Sequence, residues 1–228
     1  MRRLGDLQPV ALGAIQDHVE EAGGQDHVGM EAALRAVLGA SRHAPELRLA
    51  PPLPGSGKWQ NIAAILAGES LDGVDWLLLV DDDVILPPGF LDVFLYCAER
   101  HGLQVAQPAH AFASHAAWRV TRRRPGLVAR RTRFVEIGPV TAISADAFGA
   151  LLPFPALAMG WGLDAHWSAV AAEHGLTLGI VDATPVRHLR PVAADYPRAA
   201  AIAEAEAFLA GRPFITRDEA AQVLAAWR

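Results

Sequence analysis

The chain has 228 residues, of which 52% are hydrophobic and 20% are charged, and its formal net charge is −5. This composition excludes a disordered chain and predicts a single domain over residues 1–228, since one core suffices up to roughly 250–300 residues. The acidic balance gives no overall attraction to nucleic acid, and no apolar run approaches the ~20 residues of a membrane-spanning helix. No secretory signal pattern follows the N-terminal arginines, so we expect a cytoplasmic protein.

The beginning of the chain is predicted to be helical. Apolar residues recur at three- and four-residue spacing over residues 10–22 and 28–40, and Gly23-Gly24 separates the two runs. We therefore expect a helical segment over residues 1–45.

A continuous apolar run marks the centre of the predicted core, which we place at residues 46–194. Trp76 to Val80 is typical of a strand buried on both faces of a parallel sheet. Pro87-Pro88 is expected to open a helix that ends near Arg100, because proline is tolerated in the first helical turn. The single cysteine, Cys97, excludes an internal disulfide and a Cys-based zinc site, and its helical apolar surroundings predict a buried thiol.

Strands and helices alternate through the rest of the chain. Further strands are predicted at 47–50, 103–106, 134–137, 140–143 and 178–181, and further helices at 59–67, 145–152 and 163–174. Residues 107–133 are predicted to be irregular. Two more helices are expected near 197–210 and 217–227, within a helical C-terminal segment over residues 195–228. The alternation favours an α/β sheet covered by helices on both sides.

Three adjacent carboxylates, Asp81-Asp82-Asp83, directly follow the apolar run. Such carboxylates repel one another and are costly to desolvate, so they persist most easily where a cation or a hydrogen-bond network neutralises them. Alternate side chains of an extended chain share a face, so Asp81 and Asp83 are expected to point the same way. The pair suits a hard cation such as Mg²⁺ or Mn²⁺ at a strand end, where α/β sheets bind ligands. A solvated acidic turn is the alternative interpretation.

Several blocks of this sequence together resemble a known family. The apolar strand, Asp81-Asp82-Asp83 and the following Val84-Ile85-Leu86-Pro87-Pro88-Gly89-Phe90 are similar to the DxD motif and its sequel in GT-A glycosyltransferases, including family 2-like enzymes. Gly160-Trp161-Gly162-Leu163-Asp164, Gly179-Ile180-Val181-Asp182 and Val186-Arg187-His188 resemble later segments of glycosyltransferase-like proteins. The resemblance covers roughly residues 45–210.

The resemblance implies a fold and an activity. The expected fold is a Rossmann-like nucleotide-diphospho-sugar transferase domain, with a central, mostly parallel sheet flanked by helices. The expected activity is that of a hexosyltransferase, which moves a sugar from a nucleotide-diphosphate donor, with UDP as the favoured nucleotide. The acceptor is a glycan, a lipid or a small molecule that the sequence does not identify.

The resemblance also implies a metal and donor site. Asp81 and Asp83 would hold Mn²⁺ or Mg²⁺ against the donor phosphates, with Asp83 as the direct ligand, and Asp81 and Asp82 would contact the donor. The cation would neutralise the departing nucleoside diphosphate. His188 matches a histidine that many GT-A enzymes add to the metal, and a surface or capping histidine is the alternative.

The acceptor side is expected at Gly160-Trp161-Gly162-Leu163-Asp164. By resemblance, Asp164 is the base that takes the proton of the acceptor hydroxyl in an inverting reaction. Trp161 would be a stacking wall for a sugar ring, with Gly162 beside it. The alternative is that Asp164 only caps the helix that begins here.

Lys58 and Asn61 lie where the resembled family approaches the nucleotide, so both are expected to contact the donor. Gly55-Ser56-Gly57-Lys58 is not a P-loop, because Trp59 stands where that motif requires Ser or Thr. A solvent-exposed lysine is the alternative for Lys58.

A basic stretch runs from Arg119 to Arg133. It contains Arg119, Arg122, Arg123, Arg124, Arg130, Arg131 and Arg133. Most charge runs are solvated faces. The alternative hypothesis is that these arginines contact the donor phosphate, an anionic acceptor or the inner face of the membrane. In the last case the protein would be a peripheral membrane protein. The neighbouring His110 and His115 have no convincing metal-ligand spacing and stay unassigned.

One departure from the family pattern keeps alternatives open. GT-A domains usually begin with an apolar strand and a loop that grips the nucleoside, whereas residues 1–46 are predicted here to be helical. This favours, as the alternative function, a non-catalytic or partner-completed module that binds nucleotide or carbohydrate. A phosphohydrolase is a further alternative, because an Asp-x-Asp after a strand also occurs in haloacid dehalogenase-like enzymes.

Overall fold

The structure, a computed structural model, describes residues 9–15, 32, 34–50, 56–191, 193 and 196–228. Among these residues the strands form one nine-stranded sheet. They are β1 (Pro9–Ile15), β2 (Ala44–Ala50), β3 (Trp76–Asp81), β4 (Val84–Ile85), β5 (Val105–His110), β6 (Ala129–Thr132), β7 (Val140–Ser144), β8 (Leu178–His188) and β9 (Val223–Trp227). The helices are α1 (Lys58–Ala67), α2 (Phe90–Arg100), α3 (Ala145–Leu151), α4 (Leu163–Glu173), α5 (Arg198–Leu209) and α6 (Arg217–Ala220).

The sheet is mixed rather than mostly parallel as predicted, with the order β2-β1-β3-β7-β5-β8-β6-β9 and with β4 paired to β8. β2, β1 and β3 are parallel to one another, and β8 is parallel to β5. β7 is inserted antiparallel between β3 and β5, so β3 and β5 point the same way. The carboxyl ends of β3, β5 and β8 therefore meet at one edge of the sheet, where ligands of α/β proteins usually bind.

The core lies on both faces of the sheet, and β3 shows why. Trp76, Leu78 and Val80 are buried in one cluster with the apolar side chains of α2. Leu77 and Leu79 point the other way, into a cluster with α1, α3 and α4. Because successive strand side chains alternate between faces, a continuous apolar run becomes a strand covered on both sides. The burial predicted for Cys97 in α2 is confirmed.

The prediction of a helix over residues 10–22 is wrong where the structure describes it. Pro9–Ile15 is a strand that pairs in parallel with both β2 and β3. This segment is apolar at nearly every position, which fits either period, and the two neighbouring strands decide the outcome. Residues 16–31 lie outside the described part. Of the second predicted helix, residues 34–39 are helical.

The predicted helix over residues 217–227 is also wrong in its second half. Thr216 and Glu219 form a capping box, but the helix ends at Ala220. Val223–Trp227 instead pairs antiparallel with the edge of β6 that faces away from β8. A strand partner is a non-local factor that local helix propensity does not include.

Two assignments in the middle of the chain change as well. The strand predicted at 134–137 lies earlier, at Ala129–Thr132, within the stretch that was expected to be irregular. β8 continues seven residues beyond the predicted end at Val181 and includes His188. The helix predicted to open at Pro87-Pro88 begins after Gly89, which has a left-handed φ of 68°.

Within the described residues, no helix is both long enough and apolar enough to cross a bilayer.

Candidate active site

Two strand ends bring Asp81, Asp83 and His188 together. Asp81 ends β3, and the chain turns through Asp82 and Asp83 into the short strand β4. β4 pairs antiparallel with the end of β8, so that Val84 lies opposite His188. One ligand atom from each of Asp81, Asp83 and His188 lies within 4.8 Å of the others. The sequence-predicted metal residues are therefore neighbours in space.

Hydrogen bonds fix the Asp83 end of this cluster. His188 Nε2 lies 3.1 Å from Asp83 Oδ2. The backbone N–H of Arg190 donates to the same oxygen at 3.2 Å, and the N–H of Leu189 donates to the carbonyl of Asp83 at 3.0 Å. The carboxylate thus has a defined orientation, which a metal ligand requires.

The charges of the cluster compensate one another. Burial would raise the pKa of Asp83, but the hydrogen bond and positive charge of His188, together with Lys58, hold it below its ordinary value. Burial would lower the pKa of His188, but its hydrogen bond to Asp83 and the charge of both carboxylates raise it. Burial raises the pKa of Asp81, and the ammonium of Lys58 opposes that rise. The cluster accommodates positive charge.

The donor set fits a hard divalent cation. Two carboxylates and one imidazole are oxygen and nitrogen ligands of the kind that bind Mn²⁺ or Mg²⁺, and three protein ligands leave positions for phosphate oxygens. Lys58 Nζ forms an ion pair with Asp81 Oδ1 in the place where a cation would bind that carboxylate. The ammonium group of Lys58 therefore already neutralises part of the negative charge of the two carboxylates.

Lys58, Asn61 and Gly138 surround the Asp81 side of the cluster. Lys58 is the first residue of α1 and reaches Asp81 across the edge of the sheet. A Cβ at Gly138 would lie 3.2 Å from Lys58 Nζ and 3.3 Å from Asp81 Oδ2, so a side chain there would crowd this pair. Asn61 is buried one turn after Lys58, and its Oδ1 accepts no hydrogen bond from the described residues.

Asp164 lies in a second buried polar group. It stands in the first turn of α4, is 8% exposed, and accepts a hydrogen bond from the N–H of Ala165 at 2.8 Å. Burial, reinforced by the negative charge of Glu136, raises its pKa to about 7. Hydrogen bonds to the Asp164 carboxylate, including one from Trp118, act in the opposite direction. The carboxyl group can therefore exchange a proton near neutral pH.

Sequence reasoning missed Glu136 and left His110 unassigned, although both belong to this polar group. Glu136 Oε2 lies 3.3 Å from His110 Nε2, outside hydrogen-bonding geometry, and accepts from Thr121 Oγ1 at 3.2 Å. His110 Nδ1 lies 3.1 Å from Ser114 Oγ, which accepts from the backbone N–H of His188 at 2.9 Å. These contacts connect Glu136, which lies near Asp164, with His188 of the Asp81, Asp83 and His188 cluster. His110, Ser114 and Glu136 come from distant parts of the chain with no regular spacing.

The loop that precedes Asp164 is held by other elements. Glu204 of α5 accepts hydrogen bonds from the N–H groups of Ala158, Met159 and Gly160 at 2.7 to 2.9 Å. Gly160 has a φ of 80°, and a Cβ there would come within 2.1 Å of the Trp59 ring. The backbone around residues 158–160 is therefore fixed by its partners.

The two residues predicted to contact the acceptor follow this loop. Trp161 is half-buried, its Nε1 donates to Tyr196 Oη at 2.9 Å, and the Arg198 guanidinium lies 5.7 Å from the ring centroid. Gly162 caps α4 with a φ of 86°, and a Cβ there would lie 3.1 Å from Leu209. The indole of Trp161, three residues before Asp164 in the chain, is thus held in a fixed position.

The arginine stretch contains one buried member. Arg130 is 0% exposed and forms a bidentate ion pair with Asp182, through Nε at 2.7 Å and Nη2 at 3.1 Å. Its other contacts go to the carbonyls of Val120 and Arg122. Arg130 therefore anchors the loop to the sheet, whereas Arg119, Arg122, Arg123, Arg124, Arg131 and Arg133 are exposed.

Comparison with known proteins gives no match at the level of sequence. No protein-family model matches the chain, and no curated protein matches it. Among solved structures, GalNAc-T7 in complex with UDP, GalNAc and Mn²⁺ has a TM-score of 0.54 and 11% identity, over 84% of this chain and 45% of that one. The chain thus spans less than half of that protein.

The fold is that of the GT-A glycosyltransferases. A Drosophila β-1,4-galactosyltransferase 7 variant in complex with manganese, UDP-Gal and xylobiose is a further neighbour, with a TM-score of 0.48 and 12% identity. It matches 81% of this chain and 71% of its own. The expected GT-A fold class is confirmed, and at these identities the likeness shows the fold alone. The function rests on the side chains that this fold brings together.

Proposed function

We propose that the chain is a metal-dependent glycosyltransferase that moves a sugar from a nucleotide-diphosphate donor, with UDP favoured, to the hydroxyl of a glycan, lipid or small molecule. The observation that carries the proposal is the meeting of Asp81, Asp83 and His188 within 4.8 Å at the carboxyl edge of a GT-A sheet. The complex of GalNAc-T7 contains UDP and Mn²⁺, which supports the choice of donor and metal.

In this proposal Asp81, Asp83 and His188 hold Mn²⁺ or Mg²⁺. When bound, the cation neutralises the diphosphate that leaves the sugar. Lys58 already faces the cluster from the start of α1, and its ammonium can move from Asp81 to a donor phosphate. Asp82, in the turn between the ligands, and Asn61, one turn after Lys58, are proposed to contact the donor.

Asp164 is proposed to take the proton of the acceptor hydroxyl as that oxygen attacks the anomeric carbon. A pKa of about 7 lets a large share of this carboxyl be ionised at neutral pH and still accept a proton. Trp161 and Gly162 precede it, and the fixed indole of Trp161 is proposed to stack on the acceptor sugar. A base on the acceptor side favours inversion of configuration.

The main support for a non-catalytic module is no longer present. That reading depended on the apparent lack of a first apolar strand. Pro9–Ile15 is such a strand, and it lies directly beside β3, with Ile15 opposite Asp81. The strand that a GT-A domain places next to its DxD motif is therefore part of this sheet.

Calorimetric titration of UDP and of GDP, with and without Mn²⁺, tests the donor site. We expect metal-dependent binding of UDP that Asp83→Asn abolishes, because the variant removes a ligand charge and leaves the fold intact. Asp72→Asn, in an exposed turn, is the matched control and should bind as the native chain does. Absence of nucleotide binding in every condition would contradict the proposal.

Release of UDP from a panel of UDP-sugars tests the chemistry separately. Asp164→Asn should keep metal-dependent UDP binding and lose turnover, whereas Asp83→Asn should lose both. Turnover that survives in Asp164→Asn would assign the base to another residue. A covalent aspartyl-phosphate would show a phosphohydrolase instead.

A further inference from the structure

The end of the sheet that carries Asp81, Asp83 and His188 also has exposed apolar and cationic side chains. Phe112 is 103% exposed, and Ile85 and Leu189 are also exposed, at 43% and 39%. Arg123, Arg124 and Arg187 are exposed as well. We call this set, Ile85, Phe112, Arg123, Arg124, Arg187 and Leu189, the rim.

Backbone contacts place the segments that carry the rim residues next to one another. Ile85 of β4 lies opposite Arg187 of β8, so their side chains are neighbours on one side of this strand pair, while Val84 and His188 point to its other side. The loop with Phe112 is joined to β8 on both sides, by Ala111 N to Val186 O at 2.8 Å and His115 N to His188 O at 3.2 Å.

The basic segment is fixed to the same loop. Arg123 N donates to the carbonyl of His110 at 2.9 Å, and the Arg122 guanidinium donates to the carbonyl of Ser114 at 3.4 Å. Arg124 N donates to buried Asp182 at 2.7 Å. Arg123 and Arg124 are thus held by their backbones beside Phe112, while their side chains stay in solvent.

The charge of the rim is opposite to that of the chain. The whole chain has a formal net charge of −5, whereas the rim contains three arginines. Two of them, Arg123 and Arg124, belong to a segment, residues 108–135, that has seven arginines and no aspartate or glutamate. Of these arginines, only Arg130 is neutralised by a buried carboxylate. Exposed apolar side chains among arginines match a bilayer surface, where apolar groups enter the acyl boundary and guanidinium groups meet anionic headgroups.

We propose that the rim docks the protein on an anionic membrane surface and so presents the candidate active site to a lipid-borne acceptor. The proposal rests on the proposed function only for the nature of the acceptor. Docking itself needs neither nucleotide nor metal, so the two can fail independently. Phe112 is fully exposed at the same end of the sheet as the candidate site, so its ring leaves water only when a partner binds there. The neighbouring arginines favour a partner with negative charge.

Co-sedimentation with vesicles tests the docking. Vesicles of phosphatidylglycerol mixed with phosphatidylcholine should bind the protein at low ionic strength, and vesicles of phosphatidylcholine alone should not. Arg123→Gln with Arg124→Gln should weaken the binding by about 25-fold, from roughly fivefold for each arginine. Phe112→Ser should weaken it by roughly tenfold.

Matched controls lie at the opposite edge of the sheet, where the parallel strands begin. Arg42 precedes β2 and Arg100 ends α2, and both are exposed, so Arg42→Gln with Arg100→Gln removes the same charge elsewhere. Tyr96→Ser removes an aromatic ring that is 47% exposed on α2. Both controls should bind vesicles as the native chain does, and every variant should unfold at the native temperature.

Three outcomes would overturn the proposal. They are no binding to anionic vesicles at low ionic strength, equal losses in the rim variant and its control, and rim-dependent binding to an acidic peptide or to RNA but not to vesicles. UDP binding with Mn²⁺, measured on the same preparations, reports on the proposed function alone. If the protein binds UDP but does not bind vesicles, the docking proposal is refuted and the proposed donor site is supported.

Discussion

Replacing Asp164 with asparagine should abolish transfer and, at the same time, make the fold more stable near and above neutral pH. The buried carboxyl has a pKa of about 7 in the folded chain, against 3.8 in a model peptide. Asparagine has nearly the same shape and cannot ionise, so it imitates the protonated form at every pH.

The sign and size follow from the difference in proton binding between the two states. Between pH 4 and pH 7 the unfolded chain ionises this group while the folded chain keeps the proton, so stability falls as pH rises. The loss is complete once the pH passes the folded pKa. The rise in the pKa of Asp164 from 3.8 to about 7 lowers the free energy of unfolding by roughly 4 kcal/mol in all, of which about 3 kcal/mol lies between pH 5 and pH 8.

Urea unfolding at pH 5 and pH 8 measures the effect. The stability of Asp164→Asn relative to the native chain should rise by about 3 kcal/mol between the two pH values. Asp146→Asn is the control, because Asp146 occupies the first turn of α3 but is exposed. Its relative stability should be the same at both pH values.

A relative stability of Asp164→Asn that does not change with pH would refute this reasoning. It would mean that Asp164 is ionised at both pH 5 and pH 8 and acts as an ordinary helix cap. Removing such a capping charge would cost the same stability at both pH values. The pH dependence of kcat/KM gives an independent check. If Asp164 is the base, the native chain should lose activity about tenfold per pH unit below pH 7, because this carboxylate becomes protonated.

Three further substitutions have defined outcomes. Glu136→Gln removes the charge that helps raise the pKa of Asp164, so the acidic limb of the kcat/KM profile should move to lower pH. Arg130→Met leaves the carboxylate of Asp182 buried without its partner and should cost about 3–5 kcal/mol in urea unfolding, much of which a second change, Asp182→Leu, should restore. Glu204→Gln replaces the charged acceptor of three backbone N–H groups, and it should cost about 1–3 kcal/mol and raise the KM for acceptor more than the Kd for UDP.

The Asp81 and Asp83 part of the candidate site could be predicted from the sequence because the residues that indicate it are adjacent in the chain. Five apolar residues followed by Asp81-Asp82-Asp83 predict a buried strand that delivers carboxylates to the sheet edge, and β3 does so. His188 required the family resemblance, since only the pairing of β4 with β8 brings it to Asp83. The roles of these residues in binding a donor stay predictions.

The errors of sequence reasoning have a common physical origin. Pro9–Ile15 and Val223–Trp227 are short segments rich in alanine and aliphatic residues, with propensities compatible with either helix or strand. Each is a strand because another strand offers it a free edge. His110 and Glu136 meet for the same kind of reason, since distant backbone segments converge there. Such pairings leave no regular spacing in the sequence.

The pairing of β6 with β9 sets an order in which the molecule becomes complete during its synthesis. Asp81, Asp83 and His188 have all been translated by the time His188 leaves the ribosome. The carboxylate of Glu204, which holds the loop before Asp164, emerges later, and β6 keeps one bare edge until Val223–Trp227 is made. During translation Asp81, Asp83 and His188 thus emerge before the residue that anchors the loop preceding Asp164. A chaperone that covers the unpaired edge of β6 during this interval would protect the nascent chain from aggregation.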